Sequence, residues 1–215
     1  MTDTTTGSIV ITADGSKTLF CSRLGEHYHS LFGAENESNH VFVNAGFQAV
    51  GGDTLSILET GFGTGLNAWL TLQQAVKMFR SVYYEAIELY PVENEIASNL
   101  NDNNLFRSLH ASQWEKPVEI VPGFVLHKRK SDLLDTYFTK KFDLVYFDAF
   151  SPAVQPELWD ISIFTRIFEA MNPNAVLTTY CAKGEVRRTM QKVGFTVERL
   201  NGPYGKREIL RAKKV

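Results

Sequence analysis

Apolar and polar positions change their period twice along the chain. Over residues 8–21 they alternate on both sides of Asp14-Gly15. Asp-Gly is a strong two-residue hairpin signal because both central positions of the turn need positive φ, so a β-hairpin is expected ahead of the main fold. Gly25-Glu26-His27-Tyr28-His29-Ser30 and Glu37-Ser38-Asn39-His40-Val41-Phe42 then interleave polar groups with aromatics, leading into a helix expected to end near Val50. From Thr54 onward, short apolar runs alternate with amphipathic stretches. Strands are predicted at 54–59, 82–88, 124–130, 143–148 and 175–180, and helices at 66–79, 92–100 and 161–171. Short apolar strands with helical crossovers are the βαβ signature of a parallel sheet covered on both faces, so the fold class is α/β. A helix at 185–193, a strand at 195–200, the turn Asn201-Gly202-Pro203 and a strand at 207–212 follow. A parallel return needs about a dozen residues or more, so the last two strands are expected to be antiparallel neighbours.

Length fits this organisation. A chain of 215 residues with 44% apolar and 21% charged content can bury a sizeable core as one domain. The expectation is a single unit over 1–215, with 1–50 as a hairpin and helix extension and 51–215 as the α/β core. Only Cys21 and Cys181 are present, and no charged segment followed by an apolar one opens the chain, which points to a reduced, cytoplasmic protein. The longest apolar runs, such as 144–147, fall far short of the roughly 18 residues of a membrane span. The net charge of −2 hides an asymmetry: residues 183–215 hold ten basic and three acidic side chains, leaving −9 on the remainder. A basic tail on an acidic body suits an RNA-facing surface, although a merely solvated face would read the same way.

Candidate chemistry begins at Glu59-Thr60-Gly61-Phe62-Gly63-Thr64-Gly65. This loop follows a buried strand and opens a helix, so its amides and the positive helix end can face a ligand at the strand's carboxyl end. The G-x-G-x-G spacing departs from the dinucleotide pattern G-x-G-x-x-G, and Glu59 in front of the loop would repel a phosphate but accept hydrogen bonds from an ammonium. Glu88 ends the next strand, where a carboxylate can take both hydroxyls of a ribose. Ser131-Asp132, after the third strand of the core, offers an acceptor for an exocyclic adenine amine. An amino-acid-bearing, unphosphorylated nucleoside fits this set, which means S-adenosylmethionine. The competing reading is a tight turn at the glycines and a solvated strand end at Glu88.

Strand 143–148 runs into Asp148-Ala149-Phe150-Ser151-Pro152. Open α/β sheets place chemistry at the carboxyl ends of central strands, so Asp148 is the candidate catalytic residue. Methyl transfer to nitrogen is an in-line displacement in which alignment supplies much of the rate. Asp148 is therefore assigned orientation of the acceptor amine and stabilisation of its developing charge; the alternative is a helix cap. His27 and His29 are candidates for the substrate side of the pocket, with ordinary packing as their alternative. With His40 and Cys21 they lack the paired spacing of a zinc site, so no metal is expected. Phe150 and Trp159 are candidates for stacking on a base. Trp69 reads as core and Trp114 as packing. Cys181 has no paired base nearby and is not assigned as a nucleophile.

Six ordered motifs then form a pattern: Gly25-Glu26-His27-Tyr28-His29; Glu37-Ser38 with His40-Val41-Phe42; Glu59-x-Gly-Phe-Gly-Thr-Gly-Leu-Asn67; Asp148-Ala-Phe-Ser-Pro152 with Pro156-Glu-Leu-Trp159; Thr179-Tyr-Cys-Ala-Lys-Gly184; and Gly205-Lys206-Arg207-Glu208. In this order they resemble the methyltransferase domain of the bacterial bifunctional tRNA 5-methylaminomethyl-2-thiouridine biosynthesis proteins (MnmC-type), over nearly the whole chain. The resemblance implies a class I S-adenosylmethionine-dependent methyltransferase sheet (Rossmann-like), mostly parallel with an antiparallel C-terminal strand, plus an N-terminal β-hairpin extension. It implies methylation of the 5-aminomethyl group on the wobble uridine of tRNA. It puts Glu59, Gly61, Gly63, Gly65, Glu88 and Asp132 on the cofactor and Asp148 next to the acceptor amine; Phe62, Asn67 and Ser131 are further cofactor candidates, and Lys206 and Arg207 are candidates for the substrate. The bifunctional relatives carry a flavin-dependent oxidoreductase domain that makes the amine. This chain ends at Val215, so that step is expected of a separate partner. Ala153-Val154 stand where basic residues would be expected, leaving RNA contacts to the basic tail and Lys128-Arg129-Lys130. The alternatives are an aminopropyl transferase of the same fold, or a cofactor- and RNA-binding module without activity.

Overall fold

The computed structural model describes residues 7–215. The chain opens with β1 (Ile9–Ile11) and β2 (Lys17–Cys21), paired antiparallel about the Asp14-Gly15 turn, and β3 (Glu26–His27) adds a third strand to this small sheet. Asp14 makes the turn: its Oδ1 accepts from the Thr12 and Ser16 hydroxyls, and its Oδ2 accepts from the Asn36 amide. The predicted helix toward Val50 exists in three pieces, α1 (Ala34–Ser38), a π-helical stretch Asn39–Asn44 and a short 3₁₀ turn Phe47–Ala49.

The core is an eight-stranded sheet. Its strands are β4 (Thr54–Thr60), β5 (Ser81–Glu88), β6 (Pro117–Val121), β7 (Phe124–Lys130), β8 (Phe142–Phe147), β9 (Met171–Thr179), β10 (Thr196–Asn201) and β11 (Glu208–Lys213), in spatial order β10-β11-β9-β8-β4-β5-β7-β6. Strands β9, β8, β4, β5 and β7 are mutually parallel. β11 runs antiparallel to β9 and β10, as the short connection requires, and β6 is antiparallel to β7. The central strands are apolar on both sides because both faces are covered. On one face α2 (Leu66–Lys77) and the π stretch bury Trp69, Leu72, Phe42 and Tyr146; on the other α5 (Ile161–Ala170) and α6 (Gly184–Val193) bury Phe147, Phe164 and Met190.

Other features of the fold also depart from the sequence expectations, and β9 starts four residues before the expected 175. The helix expected at 92–100 is only α3 (Asn94–Ser98), followed by a separate α4 (Asn104–Ala111) whose N-terminus is capped by Asn103 Oδ1 accepting from the Leu105 amide at 2.9 Å. Strand β6 was not anticipated; Gly123, at φ +83°, makes the turn that folds it onto β7. Residues 131–141 cross from β7 to β8 without a helix, because Asp132 turns the chain by accepting from the Leu134 amide. The strand order reverses between β4 and β8, and such a switch point opens a crevice beyond the strands' carboxyl ends.

Candidate active site

Register fixes what meets in that crevice. Thr60 of β4 stands opposite Ile87 of β5 and Phe147 of β8, so the residues following each strand, the glycine loop, Glu88 and Asp148, project from the same edge. They line a cleft of about 620 Å³, together with His27 and His29 from the small sheet, Glu37 from α1 and Lys206 from the β10–β11 turn.

The loop between β4 and α2 reaches this edge only because its glycines sit at positive φ: Gly61 at +90° and Gly65 at +73°. A Cβ on Gly61 would lie 3.1 Å from the backbone oxygen of Asp148, and one on Gly65 would lie 2.8 Å from His110 Nε2. Gly65 caps α2 without a side-chain hydrogen bond, and no acid occupies the first turn, leaving donors at the helix start free to face a ligand. Behind the loop, His110 Nε2 bonds the Thr64 carbonyl at 2.9 Å, and the buried Lys128 donates to the His110 carbonyl at 2.6 Å.

Asn67, on the first turn of α2, joins the two deepest acids. Its Nδ2 donates to Glu59 Oε1 at 2.9 Å and to Asp148 Oδ2 at 2.7 Å. Glu59 is 1% exposed and its Oε2 has no hydrogen-bond partner. Burial, reinforced by the charge of Asp148, pushes its carboxyl well above the usual range. Burial likewise pushes Asp148 up to about 7, with the Asn67 hydrogen bond opposing the shift. The pair is short of positive charge, and a cation between the acids would draw both back to the ionised form. Glu88 accepts from the Gly63 amide at 3.0 Å and from the Tyr90 amide at 2.8 Å, which tempers the upward shift that burial imposes on it. Ser131 and Asp132 line the same cleft, as do Leu89, Leu133 and Leu134.

The small sheet closes the other side. Ser151 Oγ donates to Glu26 Oε1 at 2.7 Å, and the Tyr28 and Phe150 rings meet edge to face at 5.0 Å, tying β3 to the loop after β8. His29 bonds Thr18 Oγ1 through Nδ1 at 3.0 Å and Thr64 Oγ1 through Nε2 at 3.3 Å. Burial holds its pKa down at about 4, so it bridges the hairpin and the glycine loop as a neutral ring. His27 packs against Phe20 at 5.0 Å.

The final 92 residues, 124–215, match a family described as S-adenosyl-L-methionine-dependent methyltransferase. The bifunctional tRNA 5-methylaminomethyl-2-thiouridine biosynthesis protein MnmC of Burkholderia multivorans is 28% identical over 90% of this chain and 33% of that protein. The MnmC protein of Ectopseudomonas mendocina is 31% identical over 86% of this chain and 32% of its own length. The crystal structure of MNMC2 from Aquifex aeolicus superposes with a TM-score of 0.77 at 26% identity, covering 98% of this chain and 71% of that one. This chain is similar in sequence to one part of the MnmC proteins. It spans about a third of the length of these curated relatives. Spermidine synthase from Thermotoga maritima, at 14% identity and a TM-score of 0.64, shares the fold alone.

Within this cleft most of the residues selected from sequence converge, and four groups do not. Trp159, expected to stack on a base, is 6% exposed, packs on Phe147 at 4.9 Å and donates its indole N–H to the Phe150 carbonyl at 2.8 Å; it braces the loop from behind. Arg207 is exposed outside the cleft, while its neighbour Lys206 turns in to pair with Glu37. Lys128 is 1% exposed and cannot face RNA, and Arg129 is paired with Glu85 at 2.9 Å. Glu59 and Gly65 stand one layer behind the cleft wall rather than in it. Glu37, Tyr180 and His110 received no role from sequence reasoning. Glu37 lay within a noted motif, but only its placement on α1 facing the β10–β11 turn makes it a site residue.

Proposed function

We propose that this chain methylates the 5-aminomethyl group of the wobble (2-thio)uridine in tRNA, with S-adenosylmethionine as the donor. The observation that carries the reading is the Glu59–Asn67–Asp148 bridge at the switch point of a methyltransferase-type sheet, with Glu88 at the next strand end. The residues fit this cofactor. The open start of α2 suits its amino-acid end, with Glu59 behind the wall acting on the cleft through Asn67, Glu88 suits the ribose, and the leucines beside Asp132 suit adenine. When bound, S-adenosylmethionine supplies an electrophilic methyl group on a cationic sulfonium. Asp148 then accepts a hydrogen bond from the incoming amine, orients its lone pair and takes up the charge that develops on nitrogen. With its pKa near 7, Asp148 can also receive the proton that an ammonium must lose before it attacks. Tyr28, Phe150 and the small sheet cover the cleft and limit water around the reacting atoms.

Transfer RNA is the proposed partner because the curated relatives are named for tRNA modification. A flavin-dependent oxidoreductase acting upstream would supply the primary amine. A cytoplasmic site of action is proposed on the same ground; no helix among the described residues is long and apolar enough to cross a membrane. The test is incubation with labelled cofactor and tRNA bearing the 5-aminomethyl group, followed by nucleoside analysis. Label in 5-methylaminomethyluridine is the expected result; label only in another acceptor would remove the substrate assignment. Transfer of an aminopropyl group from the decarboxylated cofactor to a polyamine would favour the aminopropyl transferase alternative.

A further inference from the structure

At the acceptor side of the cleft a primary ammonium is already bound, and it belongs to the protein. Lys206, on the turn between β10 and β11, directs its Nζ to Glu37 Oε1, and the same Nζ stands 4.2 Å from the centre of the Tyr180 ring. Glu37 is 7% exposed. Its other oxygen, Oε2, accepts from the Ser30 amide at 3.0 Å, which fixes the carboxylate in place. Tyr180 is held equally firmly by its hydroxyl donating to the Ala149 carbonyl at 2.9 Å, next to Asp148 in the chain. All four residues line one cleft, and the charges of Glu37 and Lys206 both act on Asp148.

A fixed carboxylate beside an aromatic face is a complete cradle for an alkylammonium: one charge-assisted hydrogen bond and one cation–π contact. Glu37 is buried and Tyr180 partly buried, each held by a hydrogen bond, whereas the cation comes from a long, partly exposed side chain on a surface turn, which can extend into water once another cation takes its place beside Glu37. We propose that Glu37 and Tyr180 form the subsite for the substrate's primary amine, and that Lys206 occupies it as an internal stand-in which the substrate displaces. This deepens, and rests on, the methyltransferase reading. In the transfer itself the amine nitrogen forms a bond to the methyl carbon as the sulfur–methyl bond breaks, and the nitrogen's surplus proton passes to Asp148. Glu37 keeps a second N–H of the amine and thereby orients the lone pair.

The test uses n-butylammonium, a primary alkylammonium without base or ribose, titrated into the full chain saturated with S-adenosylhomocysteine and followed by ligand-observed NMR. Lys206→Met should bind it at least tenfold more tightly than wild type, because the competing cation is gone. Glu37→Gln placed in the Lys206→Met background should lose that gain, and Tyr180→Phe in the same background should keep it, since the ring face remains. Thermal melts check that each variant is folded. Binding to Lys206→Met that is no tighter than to wild type overturns the proposal, as does tight binding that survives Glu37→Gln. Tetramethylammonium, which has no N–H, should bind the Lys206→Met variant more weakly than n-butylammonium; equal binding would assign the site to bulk charge and overturn it. These readouts need no turnover, so failure of the tRNA assay and failure of this subsite are separate results.

Discussion

Asn67 Nδ2 lies 2.7 Å from Asp148 Oδ2, and its second hydrogen goes to Glu59. One amide group thus serves two buried carboxylates, and the ionisation of Asp148 depends on a residue from a different element. Replacing Asn67 by leucine keeps the volume and removes both donors. A hydrogen bond to a charged group is worth about 1.5–3 kcal/mol. The acid limb of kcat/KM against pH, which Asp148 should place near 7, is therefore expected to move upward by about one unit or more. An unmoved limb in Asn67→Leu would show that the bridge does not set the protonation of Asp148.

Asp148→Asn should lose about two orders of magnitude or more in rate while keeping cofactor affinity, because orientation and charge uptake are exercised on the acceptor. Stability should change the other way. Asp148 titrates at about 7 in the fold against 3.8 ordinarily, so the native state favours its protonated form. That contribution is fully present below the unfolded value and is lost as pH rises through about 7. The asparagine variant, which never acquires the buried charge, should gain in Tm relative to wild type at about pH 8 and gain little at about pH 4. Equal shifts at both pH values would contradict the assignment.

Glycine-loop geometry separates conformation from contact. Gly61 and Gly15 both have positive φ, at +90° and +84°, so alanine is strained at each. Only at Gly61 does the new methyl meet a neighbour, the Asp148 carbonyl at 3.1 Å; at Gly15 the space is open. Gly15→Ala should cost about 1 kcal/mol in stability and leave turnover intact. Gly61→Ala should cost more, and kinetics should record a fall in kcat as well as weaker cofactor binding, because the strand end carrying Asp148 must move.

Glu88→Ala removes an acceptor that holds the Gly63 and Tyr90 amides as well as the group assigned to the ribose. The expected signature is an increase of about tenfold or more in the KM for S-adenosylmethionine with a smaller change in kcat. Glu88→Gln retains one acceptor oxygen and should recover part of that loss.

Sequence periodicity located β4, β5, β7 and β8 within a residue because each carries an apolar run bounded by a glycine, an acid or a turn, whereas β9 starts at Met171, four residues before the expected 175. Glu59, Glu88 and Asp148 were legible for the same reason: strand ends of a doubly covered sheet must converge. Three features were not. Asn103 could have marked the start of α4, since asparagine before an amphipathic run is a cap signal, but the surrounding asparagine-rich segment hid it. The burial of Lys128 is a tertiary effect: in the run Lys128-Arg129-Lys130 the alternation of a strand sends Lys128 under Trp114 and Phe62, and nothing local announces which face is covered. Trp159 and Phe150 were read together as stacking residues. Only the fold shows one behind the loop and the other in the cleft.

The same contrast yields a prediction for RNA binding. Lys130 and Arg207 are exposed, whereas Lys128 is enclosed, donates to the His110 carbonyl and is held by burial at a pKa of about 8. Each phosphate contact contributes close to one unit to the slope of log affinity against log salt. Lys130→Ala and Arg207→Ala should weaken tRNA binding and flatten that slope by up to about one unit each. Lys128→Met keeps the apolar stem but removes the donor that anchors His110, and through it Thr64 of the glycine loop. It should therefore leave the salt slope unchanged while lowering Tm and raising the KM for S-adenosylmethionine. Filter binding across a salt series, paired with thermal melts, distinguishes the two classes. A flattened slope in Lys128→Met would mean that this lysine reaches the RNA after all, which its enclosure forbids unless the loop opens on binding.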